Sequence, residues 1–102
     1  MRLTVGRNVL GTGDDGYLAA FQIAEKTIRA FAPGALVIAL GLDASEHDPL
    51  AGLAVTTDGF HRIGAAIARL GLPTVLVQEG GYLSDILGTN LTAVLAGFVA
   101  GR

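Results

Sequence analysis

The stretch Leu36–Gly52, LVIALGLDASEHDPLAG, constrains this chain more than any other. With Ala35 it opens on an unbroken apolar run, Ala35–Leu40, which predicts a short strand buried on both faces, as in a parallel sheet. Gly41-Leu42-Asp43 follows at once, so Asp43 sits where the strand stops and the chain turns. In open α/β sheets ligands collect outside the carboxyl ends of the strands. A carboxylate there is the first candidate for chemistry. The pattern returns at Thr74–Gln78, TVLVQ, which runs into Glu79-Gly80-Gly81-Tyr82. A helical pattern separates the two runs, and a strand–helix–strand unit favours parallel pairing. Both strands then end on one edge, about 4.8 Å apart if they are neighbours. Asp43 and Tyr82 could there face one small substrate.

Three helices are expected around these strands. Tyr17, Phe21, Ala24, Ile28 and Phe31 recur at helical spacing and predict a helix over Asp15–Phe31, with Ile23, Ala20 and Ala30 pointing to a second buried side. Thr12 or Asp14 is placed to cap it, and Pro33-Gly34 to end it. The preceding glycines do not form a phosphate loop. The required spacing is missing, no Lys follows, and Asp14 and Asp15 would repel phosphate. The second helix starts at Thr57 or Asp58 and buries Phe60, Ile63, Ile67 and Leu70, leaving His61 on a polar flank. The third runs from about Ser84 to Val99 with Ile86, Leu87, Leu91, Val94, Leu95 and Phe98 inward. Residues 1–10 show only the alternation of Leu3 and Val5, compatible with a short extra strand.

The loop Leu42–Val55 is long for a strand-to-helix link, and long loops at a carboxyl edge tend to carry function. It holds Asp43, Glu46, His47, Asp48 and Pro49. Such a cluster invites a metal site, but neighbours in one loop rarely all converge on one ion. His47 is therefore a secondary ligand candidate with an ordinary exposed histidine as the alternative. Asp48 before Pro49 reads as a turn former.

Composition limits the remaining possibilities. The chain has 102 residues, a net charge of -2 and 7 scattered Lys and Arg, which gives no electrostatic case for nucleic acid or an anionic membrane. Cysteine is absent, so disulfides and a thiol nucleophile are excluded. No signal peptide or membrane-spanning run is evident, and a single cytoplasmic domain is expected. Hydrophobic residues reach 51%, and a chain this small buries only about 60–70% of its unfolded surface. Alanine inflates that content, but the expectation is that some of these surfaces meet another protein surface.

GTGDDGYLAAF, LVIALGLDASEHDPLAGLAVTTDGF and VLVQEGGY together resemble the closing part of zinc-dependent histone deacetylases. Their bacterial relatives, the acetylpolyamine amidohydrolases, are more similar still. The resemblance runs from about Asn8 to Phe98. It implies that Asp43 is a zinc ligand and that Tyr82 polarises the substrate amide carbonyl and steadies the oxyanion. Gly80 and Gly81 would let the backbone pass close to the substrate, and Glu79 is similar to the amidohydrolase branch. The family's upstream Asp-x-His and His-His motifs have no counterpart here, where His47 and His61 are the only histidines.

The resemblance thus implies an α/β chain, a helix followed by β-α-β-α, forming a C-terminal piece of the three-layer arginase/deacetylase-like fold. Residues 1–102 would be a single partial domain. By resemblance the function is hydrolysis of an acetyl amide by metal-activated water, on an acetylated amine or lysine. Zn²⁺ belongs to the intact domain, with weak or no binding and no activity expected of this chain alone. The expected partner is the missing N-terminal part of the domain or a second copy. Alternatives are a non-catalytic self-associating module, or a hydrolase completed in trans.

Overall fold

Helix α1, Asp14–Phe31, begins with two carboxylates and ends with Arg29 in its last turn, charges that complement the helix dipole at both ends. Arg29 also bonds Glu25 one turn back, at 2.9 Å, and donates to the Arg69 carbonyl at 3.2 Å. The computed structural model describes residues 2, 11–47, 53–81 and 84–102. The possible strand at Leu3–Val5, the turn at Asp48-Pro49 and Tyr82 lie outside them. The order is α1, β1 (Leu36–Gly41), a 3₁₀ turn (Leu42–Ala44), α2 (Thr57–Ala68), β2 (Thr74–Glu79) and α3 (Asp85–Gly101).

The strands pair parallel, in register from Leu36 opposite Thr74 to Gly41 opposite Glu79. Both therefore deliver their next residues to the same edge. One face, carrying Leu36, Ile38, Leu40 and Leu76, joins a core with Phe21 of α1 and with Phe60, Ile63 and Ile67 of α2. The other face is bare. Val37 is 75% exposed, Val75 58% and Val77 43%, so the expectation of a strand buried on both faces is not met within this chain. The reason is simple: among the described residues no layer lies against that face.

Helix α2 is started by Thr56, whose hydroxyl accepts the Gly59 N–H at 3.0 Å. The same hydroxyl donates to Asp14 Oδ2 at 2.5 Å, and the Thr56 N–H donates to Asp14 Oδ1 at 2.8 Å. Asp14 thus clamps the start of α2 rather than capping its own helix, where Gly13 takes the capping position without a side-chain bond. At the other end α1 stops at Phe31, one residue before Pro33-Gly34 can act. Ala32 turns into the left-handed region at φ 54° and its N–H donates to the Ile28 carbonyl at 3.0 Å.

Helices α2 and α3 approach until their backbones touch. A Cβ at Gly101 would stand 2.7 Å from the Ala65 carbonyl oxygen, and one at Gly64 would stand 2.9 Å from the Phe98 nitrogen. A Cβ at Gly97 would collide with the His61 carbonyl. This close seam makes α3 sit differently from expectation: Val94 is fully buried, while Leu95 rotates outward to 46% exposure. Ile23 and Phe31 of α1 also face outward, so α1 buries one stripe and not two.

The long loop after β1 returns to the body of the protein. Ala54 N–H donates to the Thr12 carbonyl at 2.8 Å, Val55 N–H to Ala44 at 3.0 Å, and Glu46 N–H to Val55 at 3.0 Å. These bonds set two isolated parallel bridges, Gly13 with Ala54 and Ser45 with Val55. Val55 is completely buried beneath them.

Candidate functional site

The carboxyl edge of the sheet presents Asp43 on the 3₁₀ turn that follows β1, with its side chain exposed. Gly80 and Gly81 leave β2 beside it. A Cβ on Gly80 would stand 3.1 Å from Asp43 Cγ, and one on Gly41 would stand 2.8 Å from its Oδ1. The carboxylate is therefore lodged between two glycine backbones, one from each strand end. Gly80 and Gly81 both have left-handed backbones, φ 66° and 90°, and a Cβ on Gly81 would press Leu87 at 2.7 Å. The positive φ at both positions is what favours glycine there. The turn thus brings the backbone at Gly80 up to Asp43. The Gln78 side-chain amide donates to the Gly80 carbonyl at 3.3 Å and steadies that path.

The other candidates flank this pair along the chain. Glu79 is the last residue of β2, opposite Gly41, and exposed. His47 lies on the surface 3.5 Å from Glu46 Oε1, an ion pair only when the imidazole is protonated. Among the described residues no group of three or more His, Cys, Asp or Glu converges. A catalytic zinc takes roughly three protein ligands and keeps one position open. Asp43 fits one such ligand position, but the described residues do not fit a complete centre.

Tyr17 was not legible as part of this corner. It belongs to the buried stripe of α1, yet its phenol lies close enough to Asp43 to feel its charge. Burial, and then that negative charge, hold its ionisation above the ordinary tyrosine value of 10.0. A second unforeseen feature is a buried polar chain behind Asp43. Thr57 Oγ1 donates to Asn90 Oδ1 at 2.6 Å, and Asn90 Nδ2 donates to Ser45 Oγ at 3.2 Å. Ser45 Oγ also accepts the His47 N–H at 3.1 Å. A polar residue inside the apolar pattern of α3 was the only available signal, and it does not name its partner.

The chain is thus a parallel α/β layer with a carboxylate and a Gly-Gly turn at the carboxyl edge of its sheet. The chain belongs to the histone deacetylase domain family, whose pattern matches residues 3–98. It is 45% identical over 92 residues to the acetylpolyamine amidohydrolase of Burkholderia pseudomallei, covering 90% of this chain and 27% of that protein. Acetylpolyamine amidohydrolase 1 of Pseudomonas aeruginosa is 42% identical over 88 residues, 86% of this chain and 25% of that protein. A crystal structure of the Burkholderia acetylpolyamine aminohydrolase superposes with a TM-score of 0.86 at 44% identity, over 91% of this chain and 27% of that chain. The chain thus spans about a quarter of the length of these relatives.

Proposed function

We propose that these residues form one corner of an acetyl-amide hydrolase site, and that catalysis requires protein groups beyond those in this chain. Asp43 is the metal-ligand carboxylate of that corner. Gly80 and Gly81 let the loop run close to the substrate, and Tyr82 donates its phenol O–H to oxygen as charge develops on the amide carbonyl. Acetylated polyamines or acetyl-lysine are the substrate class, on the names of the relatives. The observation that supports this proposal is the approach of the Asp43 carboxylate to Gly80, across the ends of the two strands.

On this reading the isolated chain should be silent. His47 lies on the surface beside Glu46, and His61 sits on α2 where its backbone meets α3. Among the described residues neither histidine joins Asp43 in a group of three or more potential ligands. Acid–base assistance alone is worth about 10²–10⁴-fold. Purified chain should hold Zn²⁺ weakly and below one equivalent, and should give background rates on acetylpolyamine or acetyl-lysine substrates. Co-expression with a polypeptide carrying Asp-x-His and His-His motifs should restore turnover that is lost in Asp43→Ala and Tyr82→Phe. Stoichiometric zinc in a monomer, or turnover by the lone chain that Tyr82→Phe abolishes, would overturn the proposal. The bare sheet face favours a second reading, a non-catalytic module that self-associates.

A further inference from the structure

Asn90 is 1% exposed and Ser45 4%, and the two side chains bond to each other. Their positions in the fold make this more than a satisfied pair of core polar groups. Ser45 follows the 3₁₀ turn that carries Asp43. Asn90 lies on α3, the helix that begins just after the Gly80–Gly81 turn. Thr57, which donates to Asn90 from the other side, is the first residue of α2. One buried amide therefore ties the chain that follows Asp43 to α3, the helix that comes after the Gly80–Gly81 turn, and braces it against α2.

We infer that Asn90 is a positioning residue, which through Ser45 holds the Asp43 carboxylate against the Gly80 backbone. It touches no reacting group. The amide is suited to the role because its two ends differ: the carbonyl accepts from Thr57 while the NH₂ donates to Ser45. Ser45 Oγ accepts both from Asn90 and from the His47 N–H, so the chain after Asp43 is held on two sides. An apolar residue at position 90 would fill the space, but would leave Ser45 without its α3 anchor. The backbone bridge to Val55 would remain, so the loop would shift rather than unfold. The inference rests on the reading of Asp43 and Gly80–Gly81 as one corner of a site.

Nuclear magnetic resonance on the intact chain tests it directly. The wild type should show a cross-relaxation signal between the Asp43 β-protons and the Gly80 α-protons, and slow exchange of the His47 amide. In Asn90→Leu and in Ser45→Ala the Asp43–Gly80 signal should fall several-fold and the His47 amide should exchange at least about tenfold faster, with signals between Gly64 and Val94 kept. Thr57→Val should do less, since it removes the brace and leaves the Ser45 link. An unchanged Asp43–Gly80 signal in folded Ser45→Ala would overturn the inference, and that variant decides the matter if Asn90→Leu does not fold. Asp43→Asn serves separately: restored turnover that survives it in the co-expression assay would refute the site reading, whatever the resonance data show about placement.

Discussion

At the scale of single residues, Tyr17 gives the clearest pH dependence. Its phenol is held above the ordinary value first by burial and then by the Asp43 charge, so ionisation is harder in the folded chain than in the unfolded one. The stabilising contribution is therefore complete below pH 10.0, the ordinary tyrosine value, and is lost as pH rises through the raised folded-state value. Melting curves across this alkaline range should show a falling midpoint, and Tyr17→Phe should flatten that fall. An equally steep fall in Tyr17→Phe would assign the effect elsewhere. Ala32 offers a second handle on stability. A non-glycine residue in left-handed backbone costs roughly 1–2 kcal/mol, and glycine is the favoured residue just past a helix end. Ala32→Gly should stabilise the chain by about 0.5–1 kcal/mol in urea unfolding, because the relief of strain exceeds the added freedom of the unfolded chain.

Among the elements, the seam between α2 and α3 decides how the core closes. Glycine is a weak helix former, costing roughly 0.5–1 kcal/mol relative to alanine. Propensity alone would make Gly97→Ala stabilising. The tertiary contact reverses that sign, since the added methyl would collide with the His61 carbonyl, and backbone cannot step aside as a flexible side chain can. Overpacking of this kind costs about 1–3 kcal/mol. Gly97→Ala should therefore lower stability by an amount of that order, while Gly88→Ala, which meets open space on the same helix, should not. The pair of variants separates steric cost from helix propensity in one denaturation experiment.

For the whole molecule, the bare side of the sheet sets the behaviour in solution. A radius of gyration of 12.8 Å is close to the value of about 13 Å for a folded chain of this length, so the three helices and two strands do close on a core. They leave Val37, Val75 and Val77 in water on the other face. Among the described residues, moreover, each strand is paired along one edge only, and unpaired edges template further pairing. Purified alone, the chain should associate with itself at micromolar concentration through this face. Light scattering should report a mass above the monomer, and Val37→Lys with Val75→Lys should return it to the monomer without unfolding it. A monodisperse wild-type monomer would show that these surfaces tolerate water.

The α/β class, the parallel strand pair and the three helices were all determined locally, by apolar runs, helical periodicity and their glycine, proline and threonine punctuation. The same local pattern placed Asp43 and Gly80–Gly81 at strand ends, because parallel strands joined by a helix must finish on one edge. What lay beyond it depended on partners distant in the chain. Whether Val37 is buried is set by the presence of a second layer, not by its own hydrophobicity, and Leu95 faces water because Gly64 and Gly97 choose the seam. The sequence marks Asn90 only as a polar residue on an apolar helix. Its role became visible once folding set Ser45 and Thr57 on either side of its amide, since a hydrogen bond exists only where both groups have been brought together.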